Sequence, residues 1–151
     1  MRWTELRVTL LLVNVFAAVS ALAGGLAVMV GWIKFPAEWL SSSSLNWLIS
    51  DYFVAGAILF VVVGGSAVAG VIGVLVNRTA AIGLSFTAGV VMMGWIAGEV
   101  LILAQFAWLQ AVYFLVGAGM VALAIAYARS TRPIGLRRPG PSVLGEVYRP
   151  R

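Results

Sequence analysis

Four long stretches of this chain hold a single charged residue between them, and that scarcity constrains its fold more than any motif. Val8–Ile33 and Val54–Val76 contain no charge, Ala111–Ala128 contains none, and Ala80–Ala104 contains one, Glu99. A helix rises 1.5 Å per residue, so about 20 apolar residues cross a hydrocarbon core of roughly 30 Å. The first three stretches in chain order reach that length; Ala111–Ala128 approaches it. A transmembrane β-barrel would instead alternate apolar and polar residues in segments of about ten. These runs are continuously apolar, so the barrel is excluded. The composition agrees: 62% of residues are hydrophobic and 10% charged, against roughly 25% charged in a soluble domain. The expectation is an all-α membrane protein. Four transmembrane helices, about 8–33, 54–76, 80–104 and 111–128, form an antiparallel bundle in a domain over residues 1–128, followed by a tail over 129–151.

Orientation follows from the basic residues. Arg2 and Arg7 precede the first span, and Arg78 lies in the tight turn Asn77–Thr79. Arg129, Arg132, Arg137, Arg138, Arg149 and Arg151 follow the fourth, while Lys34 alone falls on the other side. Positive residues collect on the cytoplasmic side, so both termini and the Asn77 turn are expected in the cytoplasm of a bacterial inner (cytoplasmic) membrane. The loops 34–53 and 105–110 are then external. Ala21-Leu22-Ala23 has the form of a signal-peptide cleavage site, but the apolar run continues to Ile33, beyond the ~7–15 residues of a signal h-region. An uncleaved helix is the preferred reading. Trp32, Trp39, Trp47, Trp95 and Trp108 fall near the external face, where indole suits the membrane interface; a ligand cage is the alternative.

The external segment reads as a lid. Pro36 and Glu38 suit a helix start, and Ser44 caps a further one. Leu45, Leu48, Ile49, Tyr52 and Phe53 then line one apolar helix face. A short amphipathic helix bending into span two is expected between spans one and two, with a docking surface or gate as its functional alternative.

Lipid tails give helices no hydrophobic reason to associate, so small residues that admit close backbone approach mark the packing faces. Span one offers Ala17, Ala21 and Gly25. Span two offers Gly65, Ala69 and Gly73, with Ser66 and Gly70 beside them. Span three offers Ser85 with Gly89, and Gly94 with Gly98; span four offers Ala118, Ala122 and Ala126. One stripe, foremost Gly65–Gly73, is available to a partner helix outside the bundle. The similar stretches Met29–Ile33 and Met92–Ile96 hint at a duplication, but the match does not extend and is read as chance.

Glu99 is the single charge well inside a span, and an intramembrane carboxylate is by default a functional hypothesis. Lys34, Asp51, Gln105, Gln110 and Tyr113 are its expected neighbours, with Trp95 on the same helix. Lys34 would pair with it; Asp51 would instead share a proton with it. The candidate ligand site is therefore Glu99, Trp95, Asp51, Lys34 and Gln105. A structural role, a lipid or quinone head group, and proton or cation passage all compete for it. Asn14 is the strongly polar residue of the inner halves, so a continuous proton path lacks support.

The chain has no cysteine and no histidine, which removes thiolate chemistry, Cys or His metal sites, and haem on either ligand. No nucleophile triad or phosphate-binding loop is present, so neither an enzyme nor a cofactor is expected. The tail holds arginines interleaved with Pro133, Pro139, Pro141 and Pro150. Such a segment builds no core alone. Arg129, Arg132, Arg137, Arg138 and Arg149 are expected to bind anionic lipids or, with Val143-Leu144 and Val147-Tyr148, a protein partner; nucleic acid is not expected.

The stretches Phe60-Val-Val-Val-Gly-Gly-Ser66, Gly94-Trp-Ile-Ala-Gly-Glu-Val-Leu-Ile-Leu103 and Trp108-Leu-Gln-Ala-Val-Tyr-Phe114 resemble a family of small four-helix bacterial membrane proteins of the actinobacterial type. The likeness covers spans two to four, roughly half the chain. It implies that the Glu99 region is a shared feature and that the tail is an addition, and it brings no activity to carry over. The functional expectation is a non-catalytic accessory or assembly subunit of a larger bacterial membrane complex. The alternative is a stand-alone lipid- or quinone-binding carrier with an outward site around Glu99.

Overall fold

The computed structural model describes residues 3–33, 52–103 and 106–130 of the 151. The described residues are helical, with no strand. Four helices are long and apolar enough to cross a membrane: α1 (Trp3–Met29), α2 (Tyr52–Val76), α3 (Arg78–Leu103) and α4 (Trp108–Arg129). The expected amphipathic helix, capped by Ser44 and bending into span two, falls outside the described residues up to residue 51; Tyr52 and Phe53, the last residues of its expected apolar face, begin α2.

Helix ends follow local chemistry. α1 stops short of the expected Ile33 because Gly31 takes a left-handed φ of +74°. Its N–H reaches the Val28 carbonyl at 3.1 Å, and the Trp32 N–H reaches back to Ala27 at 2.9 Å. This paired i−3 and i−5 closure is the Schellman stop, which glycine accepts without a Cβ clash. Asn77 alone joins α2 to α3. Its backbone N–H closes on Gly73 at 3.2 Å, and its Oδ1 accepts the Ala80 N–H at 2.9 Å, the geometry of an N-cap. No tight packing of the two helices is possible without Gly73, where an added Cβ would stand 2.8 Å from the Ala80 carbonyl oxygen.

The middle of α2, Leu59–Gly64, winds as a π-helix. The Gly65 N–H is shared between Val61 and Val62 carbonyls, and the Ser66 hydroxyl bonds the Val63 carbonyl at 2.9 Å. Carbonyls loosened by the wider turn thus find donors.

α1 packs on α2 and α4, α2 on α3, and α3 on α4. Ala17, Ala18 and Ala21 of α1, Val63 and Ala67 of α2, Ala88 and Met92 of α3, and Met120 of α4 form the central core. A second cluster joins Leu6 and Leu10, Val74, Ala81 and Tyr127.

The small residues divide between contact and open surface. Gly25 of α1 meets Gly56 and Phe60 of α2, with the Gly56 carbonyl oxygen 2.7 Å from where a Cβ would be. Gly89 of α3 meets Gly117 of α4 at 2.6 Å by the same measure. Ala17, Ala21, Gly73, Ser85 and Gly89 are buried, and Ala69 is half-buried. Gly65, Gly94 and Gly98 make no such contact within the chain: an added Cβ there would meet nothing within 4 Å. On α4 the buried face is Gly117, Met120, Ala124 and Tyr127; of the Ala118–Ala122–Ala126 stripe, Ala126 packs against the second cluster, Ala118 is half-buried and Ala122 is exposed. Larger Met120 and Tyr127 fill the space that an alanine seam would leave void. The two similar stretches also differ, since Met29–Ile33 ends a helix and Met92–Ile96 runs through the middle of one.

Candidate functional site

Three polar features interrupt this apolar structure. The first is Glu99. It is half-buried near the end of α3, with the side chains of Gln110 and Trp95 as its polar neighbours. Trp95 sits one turn earlier on the same helix, so i,i+4 spacing brings the two together. It also packs against the central core, unlike Trp32 and Trp108, which are exposed as interface residues are.

Gln110 is fixed by the start of α4. Its Oε1 accepts the Ala107 N–H at 2.9 Å, while its own N–H bonds the Ala107 carbonyl at 3.0 Å. This is the N3 half of a capping box, completed without a capping side chain because Ala107 has none. The cap leaves the Gln110 amide nitrogen unused. Both polar neighbours of Glu99 are neutral, and among the described residues no cation pairs with it. Of the expected neighbours, Lys34, Asp51 and Gln105 lie outside the described residues. Tyr113, one turn beyond Gln110, stacks on Phe16 of α1 with ring centroids 6.4 Å apart.

The second feature is wholly buried. Asn14 of α1 donates from Nδ2 to the Leu10 carbonyl at 2.7 Å and to Ser85 Oγ of α3 at 3.0 Å. Asn14 and Ser85 are both 0% exposed. Asn14 Oδ1 has no hydrogen-bond partner and lies against Gly70 of α2. Three helices therefore meet at one amide. Sequence reading marks Asn14 as polar but supplies no partner for it, because Ser85 reads only as a small packing residue.

The third feature is a pair of arginines at the opposite end from Glu99. Arg7 of α1 donates to the Val74 carbonyl of α2 from Nε at 3.2 Å and Nη2 at 2.8 Å. Arg78 donates from Nη2 to the Tyr127 and Ala128 carbonyls of α4, each at 3.4 Å, and lies 5.4 Å from the Tyr127 ring centroid. Carbonyls in the last turn of a helix lack intrahelical donors and carry the negative end of its dipole. Each arginine serves another helix's last turn. Charge position alone predicts their side of the membrane, not these bonds. Arg129 is exposed in the last turn of α4; Arg132, Arg137, Arg138 and Arg149 lie outside the described residues.

No family model, curated protein or solved structure matches this chain.

Proposed function

We propose that this chain is a non-catalytic accessory or assembly subunit of a larger bacterial membrane complex. In this reading the four helices lie antiparallel in the cytoplasmic membrane with both termini in the cytoplasm, and the arginine-rich tail contacts lipid and partner. The observation that carries it is the outward set of small residues on α3. Gly83, Thr87, Gly94 and Ala97 are exposed, and Gly83, Gly94 and Gly98 offer open space where a Cβ would stand. Glycine costs a helix about 1 kcal/mol relative to alanine. The inward glycines offset that cost by close packing within the chain; the outward ones make no such contact. A partner helix seated on α3 would supply it.

The test is native mass spectrometry after gentle detergent extraction from the original membrane. Larger proteins leaving with this chain at fixed stoichiometry are expected, with association lost when the tail is cut after Arg129. A lone monomer or homo-oligomer would overturn the reading.

One observation favours a second reading, a binder of a lipid or quinone head group. The half-buried Glu99 carboxylate has two neutral polar neighbours, Gln110 and Trp95, and retains acceptor capacity. A lipid-sized mass on the purified protein, lost in Glu99→Ala and kept in Glu99→Gln, is its expected signature. Absence of any such mass from wild type would sink it.

A further inference from the structure

We propose that Arg7 and Arg78 form a built binding site for the phosphate of an anionic phospholipid, separate from the tail. The argument begins with what these side chains have left to give. A guanidinium has five N–H donors in a rigid fork that matches phosphate oxygens two at a time. Arg7 uses Nε and Nη2 on Val74, and Arg78 uses Nη2 on Tyr127 and Ala128. Neither Nη1 has a partner among the described residues. Arg78 Nε is also without one, but it is buried and closed to a ligand, so Nη1 is the donor that each fork presents. Capping the two helix ends therefore accounts for only part of each fork.

The remaining donors are held in place. Arg7 is fixed by two bonds to one carbonyl oxygen, and Arg78 lies over the Tyr127 ring. Both residues are half-buried. A flexible arginine loses side-chain freedom when it grips an anion, whereas these have lost much of it already. The two also belong to one end of the structure. Arg7 is anchored at Val74, and Arg78 begins α3 just after the Asn77 link. Leu6, Leu10, Val74, Ala81 and Tyr127 pack as one cluster beneath them. The exposed Arg129 ends α4 directly after Tyr127 and Ala128, whose carbonyls Arg78 grips. Against these cations stands Glu5, the acid of the first turn of α1.

The occupant is set by location. These guanidiniums stand at the ends of four helices long enough to cross a bilayer, the depth at which lipid phosphates lie, and above apolar flanks that acyl chains would cover. Val8, Leu75 and Val76 are all exposed there. A soluble phosphate would gain nothing from that apolar surround.

The full chain in detergent, offered equal amounts of phosphatidylglycerol and phosphatidylcholine, gives the direct test by native mass spectrometry. Phosphatidylglycerol should be retained preferentially, and equal retention would overturn the proposal. Removing one arginine near a membrane surface should weaken anionic-lipid retention roughly fivefold, and removing both roughly twenty-five-fold. Arg7→Gln, Arg78→Gln and the double variant should follow that series. Because both arginines also cap helices, Arg7→Lys with Arg78→Lys serves as the fold-preserving control: it keeps charge but not the fork, so it should lose part of the preference. Unchanged preference in that lysine variant would reduce the site to general charge attraction and overturn it. A chain ending at Ser130 should keep the preference; its complete loss there would assign the lipid to the tail instead. Inorganic phosphate at millimolar concentration should not displace the lipid, and displacement would make the ligand a soluble anion. Protein partners appear as separate masses in the same spectra, so this proposal and the subunit reading fail independently.

Discussion

At the scale of single residues, the buried amide of Asn14 is the point where packing and polarity meet. Its Nδ2 joins α1 to α3, while its Oδ1 presses on Gly70 of α2 and finds no N–H or O–H. An unpaired carbonyl in an apolar interior is costly, and a Cα–H donor of Gly70 is the contact available to reduce that cost. Gly70→Ala would place a Cβ against Oδ1 and 2.9 Å from Cγ. Neither atom can withdraw without breaking the bonds to Leu10 and Ser85. Overpacking of this kind costs roughly 1–3 kcal/mol, to be read from reversible unfolding in mixed micelles. Adding Asn14→Ala to Gly70→Ala should recover part of the loss; equal stability of Gly70→Ala and wild type would refute the contact. Ser85→Ala should cost less, about 0.6 and at most about 1.7 kcal/mol, the span measured for hydrogen bonds between membrane helices.

At the scale of elements, helix ends are governed by a few residues whose conformational needs are specific. Gly31 is the clearest. With φ at +74°, an alanine there would meet the left-handed penalty of roughly 1–2 kcal/mol. Gly31→Ala should leave the interior of α1 intact and speed amide exchange at Trp32 and Ile33, whose N–H groups reach Ala27 at 2.9 and 3.2 Å. Gly31→Asn should do so less, since asparagine tolerates this conformation. No change in exchange for alanine would refute the Schellman stop. Such details mark how far the sequence was legible. Long runs with no charge, or with Glu99 alone, mark four spans, because the cost of burying charge in lipid is large and acts on every residue of a run. α1 ends at Met29, earlier than its hydropathy run, because such a run treats Gly31 as one more apolar residue. Nothing in Phe60–Ser66 announces π winding, which depends on how loosened carbonyls are re-paired by Gly65 and Ser66. Around Glu99, helical spacing made Trp95 a natural neighbour, and Gln110 was within reach as one polar residue among several. Its use as a helix cap beside the carboxylate depends on where both helix ends stand, which spacing alone does not give.

At the scale of the whole molecule, the glycines separate into two populations with opposite mutational behaviour. Gly25, Gly56, Gly89 and Gly117 bring backbones together, and a Cβ at any of them would stand under 3.0 Å from the facing helix's carbonyl oxygen. Side chains can yield; backbone carbonyls in a formed helix cannot. Gly89→Ala should therefore push α3 from α4 at a cost of roughly 1–3 kcal/mol. Gly94→Ala meets open space and should be neutral or raise stability by up to about 1 kcal/mol through helix propensity. Unfolding of the purified chain in mixed micelles gives both values, and a loss at Gly94 equal to that at Gly89 would contradict the division. The larger substitutions Gly94→Leu and Gly98→Leu extend the argument beyond the isolated chain. They should leave the monomer folded, as near-native circular dichroism would show, because their side chains project from the helix contacts. If α3 seats a partner helix, the same pair should abolish co-extraction with larger proteins, since leucine would hold the backbones apart where glycine admits close approach. Retention of the partner by the folded double variant would move the interface off α3. Loss of the partner without loss of fold would place the outward glycines, and not the inward ones, at the surface on which the complex assembles.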